Sequence, residues 1–353
     1  MSSRSDHTTR MIPSQPWRRI ILSVLVLVLA GMTVWETRMR QLGLHPGDLG
    51  DGPAHWAVER RKIDRAETDA IAIIGSSRIL FDTDLDVFES VTGLRPIQLA
   101  LVGTNPRRFL EDLAADEDFT GLLIVGVTPT SFFRDGAGLM AGTLDFYRDA
   151  SPSRRTGHRI YLALSRMLGF LDMDYSLPRL IERLPLIERG DVEGPYDDVW
   201  KLSVFGDDRD ASLWERIETD SYLRGHARHA WDDFRGDPIG DAQVRRAVDA
   251  SRDAVERIRS RGGDVVFIRP PSDSPIRDNE RRRTPRAFAW DRLLSETDSF
   301  GIHFEDYAGM QDLELPEFSH LSRDSARQFT LEYTRVLMDE VAWLRRRSGG
   351  QER

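Results

Sequence analysis

Residues 20–35, IILSVLVLVLAGMTVW, run for sixteen positions without a charge. A helix that is evenly apolar around its circumference has no face to give to water, so this segment belongs in a bilayer rather than on a soluble core. Sixteen residues fall a little short of the roughly 20 that span hydrocarbon. Trp17 and Trp35 can occupy the two interfaces and Arg18 and Arg19 can snorkel, which makes up the difference. Arg4, Arg10, Arg18 and Arg19 outnumber Asp6 over residues 1–19, a net of 4 − 1 = +3. That asymmetry predicts a cytoplasmic N-terminus and everything after residue 36 on the far side of the membrane. No A-x-A site follows the run, so it reads as an uncleaved signal anchor (20–36) and not as a cleaved signal peptide. The expected location is the bacterial cytoplasmic (inner) membrane, single-pass, with the body on the periplasmic side.

The rest of the chain has soluble character. Of 353 residues, 40% are apolar and 30% charged, which suffices for a sizeable core and argues against disorder. A net charge of −9 sets nucleic acid aside as the main partner, because that partner requires a basic face. The absence of Cys excludes disulfides, thiolate metal sites and a Cys nucleophile. Residues 37–55, rich in Gly, Pro and charge, read as a tether. Short apolar runs then alternate with helical patterns. Strands are expected at 70–75, 96–101 and 121–127, with helices before the first and between the second and third. Residues 134–240 break the rhythm and read as a helical insertion, ending in one long helix over SLWERIETDSYLRGHARHAWDDF. Alternation resumes with a helix from Asp241, strands in GDVVFIR and GIHFEDY, and a last helix over Arg323–Arg346. This is the pattern of a parallel sheet in an α/β domain (56–346), with residues 347–353 as a frayed tail.

Ligands of parallel sheets bind outside the carboxyl ends of the strands. The polar loops expected there are GSSR (75–78), VGTNP (102–106), VTPTSF (127–132) and RPPSD (269–273). Near the C-terminus, Glu317-Phe-Ser-His320 places a carboxylate three residues before a histidine. An early serine with a late carboxylate and histidine is a workable order for nucleophile, orienter and base. Asp312 is a second acid close enough in sequence to serve. His226 and His229, three apart on a helix, lack an evident third ligand and read as a solvated face, so no metal and no cofactor is implied. The apolar helices at 159–186 read as core packing, with a membrane-facing or acyl-lined groove as the other reading.

The motifs resemble the SGNH (GDSL-type) hydrolase superfamily. Its first block is Gly-x-Ser, matched by Gly75-Ser76-Ser77, with Ser77 at the nucleophile position and Ser76 where Asp is usual. Its last block is Asp-x-x-His, matched by Glu317 and His320. Its second block supplies an oxyanion glycine, for which Gly103 is the best match. The third block, Gly-x-Asn-Asp, is represented only by Gly126-Val-Thr-Pro129, so Asn105 or the Thr128 hydroxyl would have to stand in as an oxyanion donor. The resemblance covers residues 65–133 and 240–340. It implies a flavodoxin-like three-layer fold with the sheet sandwiched by helices.

The anchor together with GSSR also resembles membrane-tethered relatives that transfer D-alanine or acetylate exopolysaccharides. The resemblance therefore implies a serine esterase or O-acyltransferase acting on an envelope polysaccharide or other acylated substrate. It also implies a multipass membrane partner that delivers acyl groups. The alternative is an SGNH-fold component that binds or assembles without efficient chemistry.

Overall fold

A computed structural model describes residues 15–64, 70–136, 138, 140, 142–183, 201–229, 231 and 237–348. Its centre is a five-stranded, all-parallel sheet. Helices α1 (Trp17–Gln41) and α2 (Pro53–Ile63) lead into β1 (Ile71–Ile74), α3 (Ser77–Phe81) and α4 (Leu85–Thr92). Next come β2 (Ile97–Gln98), α5 (Arg107–Ala115), β3 (Leu122–Gly126) and α6 (Pro129–Phe132). After the inserted region the chain continues as α12 (Asp241–Ser260), β6 (Asp264–Arg269), α13 (Ile276–Arg283), α14 (Arg286–Thr297) and β7 (Gly301–His303). It closes with α15 (Arg323–Glu340) and α16 (Ala342–Ser348). The strand order is β2-β1-β3-β6-β7, which is the 2-1-3-4-5 order of doubly wound sheets once inserted strands are left out. Its switch point lies between β1 and β3.

Alternation along the strands builds two cores. Ala72, Ile74, Leu123, Val125, Val265 and Phe267 point to one face, under α2, α5, α12 and α14. Ile71, Ile73, Leu122, Ile124, Val266 and Ile268 point to the other, under α3, α4 and α15. Strands buried on both faces must be apolar at every position, which is why they read as unbroken runs. Helix α12 shows the complementary logic. Val244, Ala247, Val248, Ser251, Ala254, Val255 and Ile258 form one buried stripe at helical spacing.

Two elements differ from expectation. The strand expected over 96–101 is reduced to Ile97–Gln98, although Leu99 and Leu101 still donate to Ile73 and Gly75. As an edge strand its outer carbonyls need other partners, and Leu99 O accepts from Trp56 Nε1 while Ala100 O accepts from Arg209 Nη2. The last helix breaks at Val341, where ψ reaches 101°, so that α16 can turn Trp343 and Leu344 into the core.

The region between β3 and α12 holds α7 (Thr143–Asp149), α8 (Pro152–Ser165), α9 (Leu177–Arg183), α10 (Glu215–Thr219) and α11 (Ser221–His229). It also holds an antiparallel ribbon of β4 (Ser203–Phe205) and β5 (Ala211–Leu213). The single long helix expected from Ser212 is therefore a strand and two short helices. Asp220 makes the break, its carboxylate accepting from the N–H groups of Tyr222 and Leu223 and starting a new helix. The helix expected to run on past Arg183 to residue 190 lies outside the described residues.

Where the tether is expected, Leu44 and Leu49 are buried and Asp48 forms an ion pair with Lys201 at 2.5 Å. Lys201 also pairs with Asp172 at 2.7 Å, all three groups being buried. Burial alone would lower the ammonium pKa, but the two carboxylates outweigh it and raise it above the ordinary lysine value. This one cation joins the segment after α1 to two parts of the inserted region. Lys201→Met strands two buried carboxylates and is expected to cost about 3–5 kcal/mol of stability, read as a lower urea midpoint of the full chain in detergent.

Candidate active site

Strand β1 ends at Ile74, and the chain turns through Gly75 and Ser76 directly into α3, whose first residue is Ser77. The turn is tight because Ile79 of α3 lies across the ends of β1 and β3. A Cβ on Gly75 or on Gly126 would overlap the Ile79 side chain. Both glycines thus have a packing reason: they let the helix that carries Ser77 settle onto the switch point. Ser76 is buried and its hydroxyl meets the Thr128 hydroxyl at 2.6 Å, tying the β1 turn to the turn after β3. Ser77 is the partly exposed member of the pair.

The loop before α15 comes back over this point. His320 Nε2 lies 2.8 Å from Ser77 Oγ, and His320 Nδ1 lies 2.8 Å from Glu317 Oε1. A carboxylate can only accept, so Nδ1 carries the proton and Nε2 is left to accept from the serine hydroxyl. Both His320 and Glu317 are fully buried. Glu317 Oε1 also accepts from the backbone N–H groups of His320 (2.6 Å) and Ser319 (3.3 Å), and Oε2 accepts from the Trp231 indole. Phe318 sits at φ +74°, the left-handed turn that swings the Glu317 carboxylate back over the next two residues. Asp312, the other acid considered, is exposed.

Two contacts bracket His320 and fix it to α3. Asp82, at the end of α3, accepts the Leu321 N–H at 2.9 Å, and Arg78 Nε donates to Ser319 Oγ at 3.1 Å. Burial pushes the Asp82 carboxyl well above the usual carboxylate range. Arg78 is paired with Glu280 at 2.7 Å, and Glu280 with Arg269 at 2.5 Å, all three buried. Burial works against the Glu280 carboxylate, but Arg269 and Arg78 outweigh it and hold the pKa below the ordinary value. Burial lowers the Arg269 guanidinium to about 10.

Gly103 lies in the turn after β2 at φ +61°, on the same carboxyl edge and beside β1. Its N–H has no acceptor among the described residues, and the Ser77 N–H is one of the donors that any helix leaves unpaired in its first turn. Asn105 is buried and occupied: Nδ2 donates to Arg134 O, and Oδ1 accepts from Arg107 N at the start of α5. The Thr128 hydroxyl is turned to Ser76. Of the residues named from sequence, Ser77, His320 and Glu317 come together in one hydrogen-bonded chain, while Asn105 and Thr128 are engaged in holding turns. Trp231, Arg78, Asp82 and Glu280 were not singled out. Only Arg78 had a signal, as the last residue of GSSR.

Among the described residues, Asp84, Asp86 and Asp210 converge closely enough to hold a cation. Asp84 instead caps Val87, Asp86 pairs with Arg95, and Asp210 accepts from Leu85 N.

No protein-family model matches this chain, and no curated protein does. What the site can do rests on its own geometry. A serine at a helix N-terminus, an imidazole poised to take its proton and a buried carboxylate to hold the imidazole form the arrangement used for nucleophilic acyl chemistry. Gly126→Ala is expected to push α3 off the strand ends. It should cost about 1–3 kcal/mol of stability in denaturant unfolding and slow any Ser77 labelling reaction as well.

Proposed function

We propose that the protein is a membrane-anchored serine esterase or O-acyltransferase of the SGNH type, acting outside the cytoplasmic membrane on an acylated envelope substrate such as a polysaccharide. The observation that carries this reading is the unbroken relay from Ser77 Oγ through His320 to Glu317, at 2.8 Å for each step. The support for the anchor is α1, 25 residues long with a mean hydropathy of 2.1 over its most apolar window and no part of that window buried.

In this reading Ser77 Oγ attacks the ester carbonyl as its proton passes to His320 Nε2. Glu317 stabilises the imidazolium that results. The N–H groups of Ser77 and Gly103 face the oxyanion of the tetrahedral intermediate. His320 then returns the proton to the departing alkoxide, leaving an acyl-Ser77. Water or a sugar hydroxyl repeats the sequence in reverse, its proton passing through His320 back to Ser77. Which second nucleophile is used decides between hydrolysis and transfer. A multipass membrane partner that supplies acyl groups fits the transfer case.

A fluorophosphonate probe tests the nucleophile directly. The wild-type chain is expected to label and Ser77→Ala to remain unlabelled, with hydrolysis of a p-nitrophenyl ester falling by roughly 10⁴- to 10⁶-fold. Equal lack of labelling in both would favour the non-enzymatic alternative, a component that binds or assembles without efficient chemistry. Glu317→Gln keeps the shape of the side chain and removes its charge. It is expected to lower kcat by roughly 10⁴-fold with little change in KM.

A further inference from the structure

Among the described residues, seven large apolar side chains outside α1 are exposed, and six of them lie between positions 160 and 181: Ile160, Leu164, Met167, Met173, Leu177 and Ile181. Scattered exposed apolar residues are ordinary, but a concentrated set marks an interaction surface. Five of the six are also ordered along the helices. Ile160, Leu164 and Met167 follow i, i+4, i+7 on α8 and its continuation, and Leu177 and Ile181 follow i, i+4 on α9. Each helix therefore carries an outward apolar stripe.

The position of this surface identifies what covers it. Glu36, one residue past the apolar run of α1, accepts the backbone N–H groups of Gly169 (3.1 Å) and Phe170 (3.0 Å). The turn between α8 and α9 is thus fastened to α1 at the level where the helix leaves the hydrocarbon. Trp35, the aromatic at that boundary, forms one wall of a cleft of about 500 Å³ whose other walls include Tyr161, Phe170, Met173 and Leu177. Met173 and Leu177 thus share that cleft with a residue of α1. Arg155 and Arg159 on α8 and Arg166 just past its end are exposed, Arg166 being paired with Asp207 at 2.9 Å. An apolar face flanked by arginines, lying next to the end of a membrane span, matches the chemistry of the headgroup and acyl boundary.

We infer that α8, α9 and the turn joining them lie in the outer interface of the same bilayer that α1 crosses, with Leu164, Met167 and Leu177 in contact with phospholipid acyl chains. The catalytic domain is then docked on the membrane in a fixed pose and does not swing on a leash. This rests on α1 being a membrane span and goes beyond the proposed chemistry.

The chain has no Cys, so a single introduced Cys gives one clean labelling position. The experiment uses the full chain, one copy per nanodisc of phosphatidylethanolamine and phosphatidylglycerol, with a nitroxide at position 164, 167 or 177. Val28→Cys in α1 reports hydrocarbon, and Arg252→Cys on α12 reports water. Collision with oxygen and with a water-soluble nickel chelate is measured by power saturation. The expected result is oxygen-rich, nickel-poor behaviour at 164, 167 and 177, corresponding to a depth of about 5–10 Å into the interface. Nickel access equal to that at position 252, with position 28 dry, overturns the inference and leaves the anchor standing. Shielding from both reagents means that protein covers the surface, and this also overturns it. A wet position 28 removes the anchor and the inference together.

Discussion

The hydrogen bond from the Leu321 N–H to the Asp82 carboxyl, with its companion from Arg78 to Ser319, is the contact on which the site depends. Residues some 240 positions apart meet there. His320 stands between the two attachment points and can only face Ser77 while both hold. The attachment works because α3 is itself immobile, seated by Ile79 against Gly75 and Gly126 at the sheet's switch point. On the loop side, Asp273 N–H binds Phe318 O and Ser322 N–H binds Glu314 O, so the turn carrying Glu317 is held from behind. A relay of two hydrogen bonds near 2.8 Å tolerates little play, and these backbone contacts supply the stiffness.

The charges beneath the site serve the same end. Arg78, Glu280 and Arg269 form a buried row joining α3, α13 and the end of β6. A buried pair adds little net stability over an apolar substitute, but removing one partner leaves a charge without water or counterion. The row therefore fixes where α3 lies relative to β6 more than it raises stability. Asp82 reaches a similar result by a different route, its buried carboxyl accepting the Leu321 N–H and so tying the loop to the end of α3.

The sheet was legible in the sequence because strands buried on both faces must be apolar throughout, as in IAII and LLIV. Ser77, Glu317 and His320 were legible because an early Gly-x-Ser and a late acid-x-x-His form a workable order, although the residues alone left Asp312 open as the acid. The edge strand after Pro96 was not, since its shortness follows from Trp56 and Arg209 capturing carbonyls at Leu99 and Ala100. The ribbon β4–β5 and the helix break at Asp220 depend on local capping that helical periodicity does not reveal. Asp82 reads as a turn residue in FDTDL until its partner, far along the chain, is known. Trp231 carried no signal, because nothing local links an indole on one segment to a carboxylate 86 residues later.

That indole bears on why residue 317 is Glu. Glu317 uses both oxygens, Oε1 for His320 and two backbone N–H groups, Oε2 for Trp231. An Asp would sit one methylene nearer the backbone. Held close enough to serve the imidazole, it would lose the part-buried hydrogen bond from the Trp231 indole, which is costly. The same stretch of the inserted region also places Arg228 over the Phe318 ring at 4.6 Å and donates from it to Pro316 O at 2.7 Å. Three successive residues of the acid turn, Pro316 to Phe318, are thus held by Arg228 and Trp231. The longer carboxylate and the inserted region act as one device, in which the extra methylene reaches out to a donor that only the insertion provides. The inserted region is therefore part of the candidate site, and it is also the part of the chain fastened to α1.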